Sequence, residues 1–548
     1  MKANFFIFVC VFMQSLVFGD WPTETLEQMT LEQKIGQLFI VPMCPLRDKA
    51  HERDLEIVIE KYFIGGIIPK QSDPLTQIAW INRLQQKSLI GLLCVMDAEN
   101  GIGMRMSQTV QFPKNLTLGA IKDEELLYAL GRQIGHDCKK VGGHVNFAPV
   151  VDVNNNASNP IIHMRSFGED PQRVARKACL LMQGLKAEGV LACPKHFPGH
   201  GDTFIDSHLD LPVLLHNRQR LEKVELYPFL KMIQAQAPCM MIGHLLVPSL
   251  DKTTPATLSY SITTMLLKKE LGFKGLVFSD ALNMGALKKH YSTEEIAIKA
   301  FLAGNDFLVY GDHIAPNVDE ILHVDVPRAF AAIKRNCELG VINEKEIDAR
   351  VLKILQHKEK LGLNQDKIFL TSKNILEEIN SESAKQLKKT LYQEAVTLVS
   401  NPEGLLPLQS NAVLLEIGNF TPFATTLEPL IQGRRFSWAD KDNLPSASHL
   451  IIAIGNVNPK AKNFGISEDV LLEIKHLKAV YPHSVIALFG TPYALSLLSP
   501  DCAILVGYEE DPDAQEAVAE ALMGRFDPHG ELPISASKDF PIGTSISY

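Results

Sequence analysis

The chain has 548 residues, 46% apolar and 21% charged, with a net charge of −9. That length exceeds one domain, and the composition is globular, which excludes disorder, collagen-like repeats and coiled coil as the main architecture. The balance of 63 acidic against 54 basic residues excludes a general nucleic-acid binder.

Met1 and Lys2 supply a short positive start, and 5–18 is almost wholly apolar before the small Gly19. This is the pattern of a secretory signal peptide over 1–19, too short for a comfortable membrane span. The expectation is an exported protein, periplasmic or secreted, with no stable membrane insertion after signal removal. Cys10 lies inside the apolar run with no small-residue lipobox before it. The other cysteines form no C-x-x-C pair and are expected as buried free thiols.

Short apolar runs then alternate with longer amphipathic stretches. The runs are 38–43, 66–69, 92–96, 145–153, 190–194, 239–243, 275–279 and 306–310. Continuous apolar runs between helical patterns predict buried parallel strands, and eight of them predict a (β/α)8 TIM-type barrel. Ionisable residues stand at the ends of several runs: Asp97, Asp152, Lys195 with His196, His244 and Asp280. Strand C-termini are where a barrel builds its active site.

An amphipathic helix is predicted over 347–361, and polar residues then interrupt the pattern. The predicted division is a signal at 1–19, a barrel domain at 20–362, a linker at 363–381 and a C-terminal domain at 382–548. That last block has strand candidates at 395–400, 412–417, 449–454, 485–489 and 503–506, which predicts a smaller α/β sandwich domain. Its glycine-containing turns lack the spacings that cradle nucleotides, and no cofactor is expected.

The densest chemistry is at 195–208, which reads KHFPGHGDTFIDSH directly after the fifth run. Two chemistries fit it. His196, His200, Asp202, Asp206 and His208 are N/O groups that suit a metal, which would imply a zinc-dependent deacetylase; yet Pro198, Gly199 and Gly201 break any helical ligand spacing. Alternatively, Asp206 and His208 form an acid–base dyad, the carboxylate orienting the imidazole. A dyad needs a nucleophile opposite it. Asp280, in FSDALNM at 278–284, fits by position, although it also suits the N-cap of a following helix.

These residues resemble glycoside hydrolase family 3, specifically its β-N-acetylglucosaminidase (β-N-acetylhexosaminidase) branch. The supporting stretches are 95–101 (VMDAENG) with Arg105 beyond, 146–153 (NFAPVVDV), 165–171 (RSFGEDP), 489–493 (FGTPY) and 530–535 (GELPIS). The resemblance implies a retaining β-glycosidase with Asp280 as nucleophile and His208 as acid/base, assisted by Asp206. It implies that Asp97, Arg105, Arg165, Lys195 and His196 hold the sugar, with no metal. The implied substrate is an N-acetylglucosamine-containing glycan or muropeptide from peptidoglycan or chitin, and a monomer is expected. The rival within the family is a β-glucosidase or β-xylosidase, expected to lack the dyad. A histidine acid/base can become neutral, which admits an anionic acceptor such as phosphate beside water. Asn100 stands where a second glycine is common, and a left-handed turn is expected there. Arg165 also has Glu169 and Asp170 nearby in sequence as alternative ion-pair partners.

Overall fold

The computed structural model describes residues 20–311, 318–365, 369–409 and 411–548. The expected signal peptide, with Cys10, lies outside the described residues. No helix among the described residues is long and apolar enough to cross a membrane.

The first eight strands are β1 (Phe39–Met43), β2 (Gly66–Pro69), β3 (Leu93–Met96), β4 (Val145–Asn146), β5 (Leu191–Ala192), β6 (Cys239–Ile242), β7 (Leu276–Ser279) and β8 (Leu308–Val309). β1 reads FIVPM and is buried at every position, as are β2, β3, β6 and β7. Such runs suit strands covered on both faces. The pairing order is β5-β4-β3-β2-β1-β8, with β6-β7 beside it. Parallel bridges Phe197–Ile242 and Phe278–Phe307 join these two pieces into a closed parallel barrel. At that seam Phe278 stacks on Phe307 at 4.7 Å and meets Phe147 edge-on at 5.3 Å.

Three of the predicted runs are regular strand over only two residues, Val145–Asn146, Leu191–Ala192 and Leu308–Val309. Pro149 and Pro194 have no N–H for a ladder, so the chain continues past them with one bridge, Val150 to Lys195. Around the barrel, Asp73 and Asp170 cap helices by accepting from Thr76 N (3.0 Å) and Arg173 N (2.7 Å), each with proline next. Helices Glu125–Lys140 and Pro171–Ala187 touch backbone to backbone. A Cβ on Gly131 would stand 2.3 Å from Leu181 O, and one on Gly184 would stand 2.4 Å from Tyr128 O. Alanine, better than glycine in a helix by ~1 kcal/mol, is therefore excluded there.

The predicted amphipathic helix is Glu344–Lys360. Beyond it the chain runs along the barrel: Leu370 exchanges two hydrogen bonds with the Asn82 side chain, at 2.8 and 2.9 Å, before the short helix Ile375–Ile379.

A second sheet follows, built from β9 (Thr397–Ser400), β10 (Ala412–Ile417), β11 (Arg435–Ser437), β12 (His449–Ile454), β13 (Ser484–Leu488) and β14 (Ala503–Val506). Its order is β11-β10-β12-β13-β14-β9, parallel except for β9. Alternate residues enter opposite helical layers: Val413, Ile452 and Ile486 on one face, Leu414, Ile451 and Val485 on the other. This is the α/β sandwich. β11 escapes sequence reading because its three residues are not buried and form no apolar run.

The two domains are hydrogen-bonded along the barrel rim. Tyr493 Oη donates to Asn154 O at 3.1 Å, and Glu509 accepts from Thr117 Oγ1 (2.6 Å) and Lys114 N (2.8 Å). Ser535 donates to Glu169 from both N and Oγ, at 2.9 and 2.6 Å.

Candidate active site

The C-terminal ends of the barrel strands open into a cavity of about 280 Å³. Asp97 and Glu99 follow β3, Lys195 and His196 follow β5, and Asp280 follows β7. These residues, with Arg105, Arg165 and His208, all line the cavity. Asp206 stands behind His208.

The floor is a charge network. Lys195 Nζ lies 3.1 Å from Asp97 Oδ1 and 2.8 Å from Glu99 Oε1. Arg105 Nη2 donates to Asp97 Oδ2 at 3.2 Å. Arg165 grips Glu99 with two bonds, 2.7 and 3.0 Å, so Glu99 rather than Glu169 or Asp170 is its partner. A buried carboxylate is stable only when so paired. Burial alone would raise the Glu99 carboxyl, but Arg165 and Lys195 hold it far below the ordinary carboxylate value. Burial would likewise lower the Lys195 ammonium, and Glu99 with Asp97 raise it instead. The ion pairs favour the charged forms of Glu99 and Lys195, so the floor presents both donors and acceptors to the cavity.

Asp152 is fully buried and serves the wall from behind. Its Oδ2 is 2.8 Å from His196 Nδ1, and its Oδ1 accepts from His200 N at 2.7 Å. That fixes His196 with Nδ1 protonated, leaving Nε2 3.5 Å from Arg165 Nη2. His244 is buried between Thr257 Oγ1 (2.8 Å) and Ala281 O (2.9 Å). Asp152 and His244 therefore orient neighbours. Gly201 is required where the loop crosses Val153: a Cβ would stand 1.8 Å from Val153 O.

On the opposite wall, His208 Nδ1 lies 2.7 Å from Asp206 Oδ1. Burial would raise the Asp206 carboxyl, but hydrogen bonds from His208 hold it below its ordinary value. The loop is anchored from below, with Gly285 N donating to His208 O at 3.2 Å and Ala286 N to Ser207 O at 3.2 Å. Lys460 of the second domain brings Nζ to 3.8 Å from Asp206 Oδ2. Asp280 caps no helix: the next one, Gly285–Lys288, has Met284 at its N-cap, and Asp280 Oδ1 accepts from Ala281 N at 2.8 Å.

Sequence reasoning assigned no role to Glu99 or Lys460. Glu99 was within reach, two residues from Asp97; Lys460 is 254 positions from Asp206 and carries no local signal. Asn100 is not left-handed. The positive φ of 91° falls on Gly101, and Asn100 Nδ2 instead donates to Phe112 O at 3.0 Å. Asn154 and Asn156 make structural bonds, to Tyr493 and to Thr203 O.

The five-residue metal set does not assemble. Among the described residues the cluster with metal-ligand spacing is Asp202, His216 and Glu225, with ligand atoms within 4.8 Å. Arg220 Nη1 already supplies its cation, at 2.6 and 2.7 Å from the Glu225 oxygens. None of the eight described cysteines forms a disulfide, and six of them are buried.

A family model described as the glycosyl hydrolase family 3 N terminal domain matches residues 30–357. The chain is 32% identical over 389 residues to a beta-hexosaminidase A of Pseudoalteromonas piscicida, covering 66% of this chain and 64% of that relative. It is 25% identical to a beta-N-acetylglucosaminidase/beta-glucosidase of Cellulomonas fimi, over 71% of this chain and 68% of that one. A solved family 3 beta-N-acetylglucosaminidase from Paenibacillus sp. str. FPU-7 superposes with a TM-score of 0.77 at 27% identity, covering 93% of this chain and 99% of that structure.

Proposed function

The chain belongs to glycosyl hydrolase family 3, and from that premise we propose that it is an exo-acting, retaining β-N-acetylhexosaminidase. It removes terminal non-reducing β-linked N-acetylhexosamine from peptidoglycan or chitin fragments. The observation that carries this reading is the Asp206–His208 pair, 2.7 Å apart, on the wall of the cavity that Asp280 also lines.

In the first step an Asp280 carboxylate oxygen attacks the anomeric carbon. The bond to the aglycone oxygen breaks, and the proton on His208 Nε2 passes to that oxygen. Asp206 holds Nδ1–H, so the proton donor is an imidazolium that the carboxylate stabilises. In the second step water attacks the same carbon from the aglycone side. Its proton goes to the now neutral Nε2, the bond to Asp280 breaks, and the sugar leaves with its original anomeric configuration. Asp97, Arg105, Arg165, Lys195 and His196 bind the sugar hydroxyls.

The barrel, 20–362, carries this chemistry; 363–381 links it to the second domain, 382–548. The segment 1–19 directs export, and the chain works as a monomer. The test is hydrolysis of an aryl β-N-acetylglucosaminide beside the matching β-glucoside. Preference for the N-acetyl sugar, with β-anomer as first product, is expected. Equal or faster cleavage of the glucoside would overturn the assignment.

A further inference from the structure

We infer that His200, through Nε2, makes a hydrogen bond to a single polar group of the bound sugar and so helps set sugar specificity. The inference rests on the glycosidase reading above and extends it to a residue that the reading does not use.

His200 is 2% exposed and lines the cavity beside His196, their rings 5.9 Å apart. Its backbone is committed: N–H donates to Asp152 Oδ1 at 2.7 Å, and the carbonyl accepts from Asn159 Nδ2 at 2.8 Å. Its ring is committed on one side only, with Nδ1 2.8 Å from Thr203 Oγ1. Nε2 is buried with no hydrogen-bond partner.

The Thr203 hydroxyl has one hydrogen and two acceptors in reach, His200 Nδ1 and His200 O, the latter at 3.1 Å. If it donates to the carbonyl, Nδ1–H points at Oγ1 and Nε2 is left with a lone pair. If it donates to Nδ1, Nε2 carries the proton and is left as a donor. Either arrangement leaves one unmet valence on a buried ring. A buried polar atom without a partner is costly, and structures keep few of them. Burial, reinforced by His196, pushes the ring down to about 4, so at neutral pH Nε2 acts as a neutral donor or acceptor. A hydroxyl or the N-acetyl group of a hexosamine supplies either a donor or an acceptor.

The experiment pairs the residue with substrate groups. Wild type, His200→Gln and His200→Leu are assayed on an aryl glycoside and on analogues lacking one hydroxyl or the N-acetyl group in turn. The parent is whichever sugar the wild type cleaves, hexosaminide or glucoside, so that failure of the N-acetyl assignment leaves the contact testable. Both variants are checked for thermal midpoint against wild type. His200→Leu is expected to lose about tenfold or more in kcat/KM on the parent, with His200→Gln partly restored. One analogue is expected to cost the wild type a similar factor and to cost His200→Leu almost nothing further. Equal losses across every analogue, or no loss on the parent, overturn the inference.

Discussion

Asp206 Oδ1 accepts twice from His208, from the ring Nδ1 at 2.7 Å and from the backbone N–H at 3.0 Å. The carboxylate thus fixes both the main chain and the ring of its partner. The imidazole can rotate little, and the proposed proton transfer uses its other nitrogen, Nε2. Replacing His208 by Ala is expected to slow a poor leaving group by roughly 10²–10⁴-fold and an activated aryl glycoside much less. Asp206→Asn should show the same leaving-group dependence in weaker form. Rates on aryl glycosides of graded leaving-group pKa check this; equal losses on all of them would remove His208 from the acid role.

Asp280 Oδ1 accepts from Ala281 N at 2.8 Å, and its own N–H donates to Ile242 O at 2.9 Å, so the end of β7 is held firmly to β6. Asp280→Ala is expected to reduce turnover by a factor on the order of 10⁴ or more while leaving the thermal midpoint near wild type. Added azide should restore part of the rate and give the α-glycosyl azide. A product of β configuration there is the outcome that removes Asp280 as nucleophile.

His163 lies at the junction of barrel and second domain, its ring edge-on to Tyr493 at 5.3 Å. It is 5% exposed, and burial pushes it from the ordinary 6.5 down to about 4. The folded state therefore resists a proton that the unfolded chain accepts. This contribution to stability is fully present above pH 6.5 and is lost as pH falls towards 4, on the order of 3 kcal/mol for this one group. Thermal midpoints measured from pH 7 to pH 4 should fall, and less steeply in His163→Asn, which tolerates the residue's positive φ of 35°. Parallel slopes for the two proteins would be the contrary result.

Tyr493 ties the second domain to the loop that carries Arg165, through its bond to Asn154 O and the 3.3 Å bond it accepts from Asn154 Nδ2. Tyr493→Phe is expected to cost about 1 kcal/mol of stability and to raise KM several-fold with kcat less affected. Steady-state kinetics beside a denaturation curve separates the two effects. An unchanged KM would confine the second domain to a structural role at this contact.

Removal of divalent metal by a chelator is expected to leave activity unchanged, since the proposed steps use only Asp280, His208 and Asp206. Loss on chelation with recovery on zinc would favour the deacetylase reading. Turnover in phosphate buffer is expected to yield some glycosyl phosphate, because a neutral His208 does not repel an anionic acceptor. Free sugar alone in concentrated phosphate is the contrary result.

Read alone, the sequence determines what short-range physics decides. Buried parallel strands must be apolar throughout, so β1, β2, β3, β6 and β7 announce themselves, and with them the barrel. The loop at 195–208 concentrates its titratable groups so densely that its chemistry is visible before folding. The tertiary structure decides the pairings. Glu99 becomes the partner of Arg165 across 66 positions, and Asp152 becomes the orienter of His196 across 44. The second domain also reaches the dyad, through Lys460. The physical reason is that a buried charge is stable only beside an opposite charge or a donor, and which one it meets depends on strand order and loop closure.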